Sequence, residues 1–182
     1  AWVAADMLSQ AEHAADSSAV VATDSEELAR AILAQLRSQL EHLPRADDAR
    51  ASLMRFSRVI VFENIDAAVA LADEFASEHL EIQCGSQSRQ VAERINNAGA
   101  IFIGPHTPVA VGDYWAGPSH TLPTGTRAKF SSALTSNDFI KSISLIEYSA
   151  EQLRACADDI IRLAQVEGLD PHARSVSIRR DS

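Results

Sequence analysis

Four short apolar runs constrain this chain most: residues 19–22 (Ala-Val-Val-Ala), 59–62 (Val-Ile-Val-Phe), 80–82 (Leu-Glu-Ile) and 100–103 (Ala-Ile-Phe-Ile). Each reads as a strand, and the stretches between them carry helical periodicity. Strands alternating with helices imply parallel pairing with helices on the sheet faces. In such folds ligand groups gather beyond the carboxyl ends of the strands.

The helical stretches are marked by their apolar spacing and their ends. Trp2, Ala5, Leu8 and Ala11 recur at threefold steps, with no Ser, Thr, Asp or Asn ahead of them to cap a helix. Thr23 and Glu26 have the capping-box spacing before Leu28, Ile32, Leu36 and Leu40, a helix that Pro44 ends. A second short helix is expected over 47–54, and Asn64 caps another through Ile65, Val69, Ala72 and Phe75. A further helix spans about 87–96 and closes at Asn97 and Gly99.

Residues 112–125, GDYWAGPSHTLPTG, follow the fourth strand. They place an acid, an imidazole, a phenol and a hydroxyl in a segment that Gly and Pro keep out of regular structure. Past position 136 the rhythm changes: a short helix near 138–140, a longer one over 150–166, and a tail in which Val176 and Ile178 alternate. That portion has few core positions of its own and is expected to pack on another surface, such as a partner subunit. The fold class expected is α/β, with a parallel-sheet Rossmann-like portion at 1–135 and a small, mainly helical C-terminal arm at 136–182.

Charge narrows the function. With 25 acidic against 16 basic side chains the net charge is −9. Nucleic-acid affinity comes largely from Lys and Arg on phosphates, so a nucleic-acid partner is not expected. Arg174, Arg179 and Arg180 form too small a basic cluster to change that. Cys84 and Cys156 have no Cys neighbour, which argues for buried thiols rather than a disulfide or a thiolate metal site. No apolar run is long enough for a bilayer span. The first residues lack a signal-peptide pattern, so a cytoplasmic location is the default expectation. A start without Met, inside helical periodicity, reads as an excerpt of a longer chain.

Gln10 and His13 lie three apart on a helix, so their Cβ atoms sit about 5–6 Å apart on one face. Two imidazoles with two oxygen donors, drawn from Gln10, His13, Asp113 and His172, suit zinc or a similar divalent ion. Taken alone, the first pair is more commonly a solvated helix face. Glu78-His79 stands where a helix yields to a strand. A carboxylate beside an imidazole can divide proton transfer and water activation, while a surface turn is the plainer alternative. His42 suits a helix C-terminus; His106 follows Gly104-Pro105 in a loop, and neither is assigned a role. Dinucleotide-fingerprint, nucleophile-elbow and phosphate-loop patterns are all missing.

At these residues the chain closely resembles the histidinol dehydrogenase family, over essentially its whole length and as the C-terminal part of a longer enzyme. The resemblance is carried by Gln10-Ala11-Glu12-His13, by 78–82 (EHLEI), 97–105 (NAGAIFIGP) and 112–124, by Phe130-Ser131-Ser132, and by 167–174 (EGLDPHAR). It implies two successive NAD-dependent oxidations that convert L-histidinol, via L-histidinaldehyde, to L-histidine. Gln10, His13, Asp113 and His172 would be zinc ligands that also place substrate, with His172 reaching the other subunit of a homodimer. His79 would be the general base and Glu78 the activator of water, with His120 and Glu167 contacting substrate. The nicotinamide site would lie in an N-terminal half absent from these residues, so the excerpt alone is expected to be inactive. Ser77 stands where the family usually has Pro. Two other readings stay open: a zinc- and NAD-dependent dehydrogenase of another small alcohol, and a non-catalytic metal-binding fragment.

Overall fold

The computed structural model describes residues 1–44 and 46–180, so the last two positions of the expected arm lie outside the described residues. The chain divides into two compact units, one from Ala1 to Phe139 and one from Ile140 onward.

In the first unit the order is α1 (Trp2–Ala11), β1 (Val20–Thr23), α2 (Glu26–Leu40), α3 (Ala46–Arg55), β2 (Arg58–Val61), α4 (Ile65–Phe75), β3 (His79–Ile82), α5 (Ser88–Ala92), β4 (Ala100–Ile103) and α6 (Val109–Tyr114). The expected α/β alternation is present, and every strand pairs in parallel. Val20 opposes Arg58 at the start of the first ladder, and His79 opposes Ala100 at the start of the second. Among the described residues these are two separate two-stranded sheets, not one. Alternation dictates parallel crossovers but not which strands become neighbours, so the sequence could not supply that division.

Helix α1 is uncapped by any side chain, as expected. Its buried stripe is Ala4, Met7, Leu8 and Ala11, and Trp2 is 59% exposed. A strict threefold repeat drifts around a helix of 3.6 residues per turn, whereas mixed steps of three and four stay on one face. That face packs on Ile32, Leu36, Leu40 and Ala49 from α2 and α3. Leu28, the expected first core position of α2, is 46% exposed.

The start of α2 also departs from expectation. Ser25 is its N-cap, its Oγ accepting the Leu28 N–H at 3.1 Å, while Thr23 Oγ1 accepts the Ser25 N–H at 3.1 Å. Two hydroxyls two residues apart compete for the same role, and the one closer to the helix takes it. The helix ends at Leu40, before Pro44, and His42 sits with Nδ1 2.9 Å from the Ser38 carbonyl oxygen. Asn64 caps α4 as expected, accepting the Ala67 N–H at 3.0 Å. A second core of Val69, Ile82, Val91 and Ala92 ties α4 and α5 to β3, with Leu80 and Ile103 against it. Burying each such aliphatic side chain is worth about 1.5–3 kcal/mol.

Both cysteines are only half-buried. Burial, then the Asp24 charge, push the Cys84 thiol up, which keeps it protonated and unreactive.

In the second unit α7 (Ala150–Val166) packs on α8 (Asp170–Arg180). Ser149 and Gln152 form a reciprocal capping box at the start of α7. Gly168, at φ 73°, turns the chain between the helices, and Ala157, Ala164 and Ala173 are buried. The tail expected to alternate is therefore helical. Pro171 is tolerated in the first turn of a helix, and Arg179 and Arg180 complement the dipole at its end. The alternation of Val176 and Ile178 is too brief to oppose those signals.

Candidate active site

Helix α4 stops at Ala76, whose φ of 48° is left-handed, and three residues later His79 opens β3. The Glu78-His79 step is fixed from outside by the turn before β4. The Asp73 carboxylate accepts the N–H groups of Asn96 at 2.5 Å and Asn97 at 2.9 Å, and these bonds hold its pKa below the ordinary carboxylate value. Beyond that turn Gly99 donates to the Ser77 carbonyl and Ala100 to the Glu78 carbonyl, both at 2.9 Å. A Cβ on Gly99 would lie 2.5 Å from the Glu78 carbonyl oxygen, so only glycine allows this approach.

A cleft of about 200 Å³ opens beside these residues, lined by His79, Phe102, Asp113 and His120 among others. Phe102 stands against the imidazole, ring centroids 5.9 Å apart and tilted by 43°. Gly112 backs the same ring; its missing Cβ would fall 2.7 Å from Phe102 Cε1. His79 Nε2 is shielded from solvent and has no hydrogen-bond partner. A buried polar atom without a partner costs stability unless a ligand supplies one.

The segment 112–125 is not irregular throughout. Gly112, Asp113 and Tyr114 finish α6, and only the residues after them leave regular structure. Pro108 at the N-cap starts the helix and left-handed Gly117 follows its end. Sequence reading weighed the Gly and Pro content and missed this short helix. Asp113 thus projects from a helix rather than a loop. Asp113 and His120 come from the chain after β4, as the carboxyl-end rule anticipates, but His79 comes from the first residue of β3.

The remaining candidates lie elsewhere. Gln10 is half-buried in the last turn of α1, and His13 is exposed just past it; neither lines the cleft. Glu78 is half-buried beside His79 in the chain. Glu167 caps the C-terminus of α7 and His172 sits in the first turn of α8, both exposed, in the second unit. Among the described residues, no group of three or more His, Cys, Asp or Glu is placed to hold a metal. His106, given no role, packs against Trp2 with ring centroids 5.7 Å apart.

Sequence reading passed over Glu81. Two positions beyond His79 on the same strand, it belongs to the same face. Its Oε1 accepts the Val109 N–H at 3.1 Å, and Gln83 Nε2 donates to Glu81 Oε2 and to Asp6 Oδ2, each at 3.2 Å. Burial first, then the Asp6 carboxylate, push Glu81 up to about 7. The one local sign was a carboxylate between Leu80 and Ile82 in an apolar strand, which an exposed position would explain as well.

Parallel strand pairs, a cleft beside the second of them and a shielded imidazole nitrogen without a partner define an α/β protein with an enzyme-like site. The sequence pattern of the family described as histidinol dehydrogenase matches residues 1–180, and the chain belongs to that family. Histidinol dehydrogenase of Nitrobacter winogradskyi is 49% identical over 178 residues, covering 98% of this chain and 41% of the relative. That of Nitratidesulfovibrio vulgaris is 47% identical with the same coverage. A crystal structure of histidinol dehydrogenase from Elizabethkingia anophelis superposes with a TM-score of 0.91 at 35% identity, covering 98% of this chain and 41% of that one. The chain therefore spans about two fifths of the length of these relatives.

Proposed function

We propose that this chain carries the metal- and substrate-holding part of a histidinol dehydrogenase, which oxidises L-histidinol through L-histidinaldehyde to L-histidine with NAD as oxidant. The observation that carries this reading is the unpartnered Nε2 of His79 in the cleft it shares with Asp113 and His120. An imidazole positioned this way can take the hydroxyl proton as hydride leaves the adjacent carbon, the task a general base performs near neutral pH. Glu78 then activates the water that attacks at the aldehyde level. His120 and Glu167 hold the substrate in place between the two oxidations, so that the aldehyde is not released.

Two imidazoles, a carboxylate and an amide oxygen fit zinc by donor chemistry. Gln10, His13, Asp113 and His172 would hold it. Of these, one chain's first unit offers a single His and a single Asp, consistent with His172 arriving from a second copy in a homodimer. Zinc would supply charge and a template for the substrate's amine and imidazole. NAD would supply the hydride acceptor, its contacts lying outside these residues. On this reading the two parallel ladders are pieces of a Rossmann-like arrangement, with 1–135 carrying most of the site and 136–182 the dimer arm. No helix among the described residues is long and apolar enough to cross a membrane, and a cytoplasmic setting fits a diffusible amino alcohol.

Steady-state kinetics of the full-length enzyme carrying His79→Asn test the reading. The expected result is a kcat lower by about 10²–10⁴-fold, with L-histidinol affinity changed far less. An undiminished kcat, or a better rate on another small alcohol in a substrate panel, would overturn it.

A further inference from the structure

Four polar groups of the proposed site stand in or beside three elements of the first unit: Gln10 in α1 with His13 just past it, His79 in β3 and Asp113 in α6. Holding them to within a fraction of an ångström needs links between those elements, because such sites lose function when their supports loosen. One side chain touches all three. Glu81 is rooted in β3, receives the N–H that opens α6, and through Gln83 meets Asp6 of α1. Asp6 is one turn before Gln10, on the same helix face. Gln83 is only one residue past the end of β3, so the bridge is short.

The geometry points to Glu81 as a positioning residue: it fastens the start of α6 and, with Gln83, the helix α1 to the strand that carries His79, setting Asp113 and Gln10 relative to the imidazole. This inference rests on the proposed metal site. Its chemistry is that of a carboxyl in its neutral form, which can accept from Val109 with one oxygen and share a proton with Asp6 through the other. The raised pKa of Glu81 and its hydrogen bond to Asp6 agree with that state. A glutamine at the same position keeps the acceptor for Val109 and offers Asp6 a donor, giving up only the acceptor for Gln83, which keeps its own bond to Asp6; a leucine offers none of these.

The test uses zinc titration of the metal-free protein, together with hydrogen exchange at the Trp115 and Ala116 amides, both bonded to the Val111 carbonyl. Glu81→Leu is expected to weaken zinc binding at least tenfold and to speed exchange at those amides at least tenfold. Glu81→Gln should stay within about threefold on both, since it restores the two hydrogen bonds. Val109→Pro removes the N–H that Glu81 accepts while leaving the carboxyl in place, at a helix position that tolerates proline, and should follow the leucine variant. It also carries the test if Glu81→Leu does not fold. A merely structural carboxyl would lower the melting temperature and leave zinc affinity and α6 exchange unchanged; that result overturns the proposal, as does a glutamine variant as impaired as the leucine one. Asp113→Ala is the control. If it binds zinc as tightly as the unsubstituted protein, the metal-site reading fails, and the exchange data alone then decide whether Glu81 holds α6.

Discussion

His79 and Glu81 share a strand face, yet only the first was recognisable beforehand. An imidazole beside a carboxylate at a helix–strand junction has a chemical signature, whereas a single carboxylate in an apolar strand looks like an exposed position until its partners are known. Those partners, Asp6 and Val109, are 75 and 28 positions away in the sequence. Burial first, then the Asp6 carboxylate, hold the proton on Glu81, and the Val109 N–H opposes them. The folded pKa of Glu81 is raised from 4.5 to about 7, so the folded state favours its neutral form. The contribution of Glu81 to stability is therefore fully present below about 4.5 and is lost as pH rises from there through about 7, because ionisation then costs more folded than unfolded. Urea unfolding across that window should show the fall in the unsubstituted protein and a flatter profile in Glu81→Gln. Equal slopes would mean that the carboxyl titrates normally.

At the scale of elements, strands and helices were largely legible because hydrophobic period and cap residues are local. Strands at 20–23, 58–61, 79–82 and 100–103 fall within one residue or so of expectation, and Asn64 caps the helix it was expected to cap. Misreadings arose where two local signals conflicted. Thr23 and Ser25 competed for one cap, glycine-rich composition hid α6, and a brief alternation hid α8. The turn between α5 and β4 is where local geometry reaches the site, since Gly99 lets β4 approach the Glu78 carbonyl. Gly99→Ala places a methyl 2.5 Å from that oxygen, against backbone that cannot swing aside. Calorimetry should show a loss of about 1–3 kcal/mol, the usual cost of overpacking. Catalytic rate should fall with it, because Glu78 and His79 move together. Unchanged stability would mean the backbone yields easily and the turn does not fix the dyad.

For the whole molecule, alternation and spacing led to an α/β protein but could not reach the division of its strands into two ladders, which depends on long-range packing. The candidate site was legible in proportion to how local its parts are. Asp113, His120 and His79 converge on one cleft. Gln10 with His13 was read from helical spacing, His172 from donor chemistry and Glu167 through resemblance; the first pair lies at the end of α1 and the other two in the second unit. An acidic chain with a half-enclosed imidazole is suited to a small, cationic amino alcohol, and the central claim is that such a molecule binds at this cleft. NMR titration of the zinc-loaded protein with L-histidinol tests it most directly. The expected result is that the largest shifts fall on the His79 and His120 imidazoles and on the amide of Asp113, and that they vanish on chelation and return with added zinc. Shifts concentrated elsewhere, or unaffected by metal removal, would contradict it.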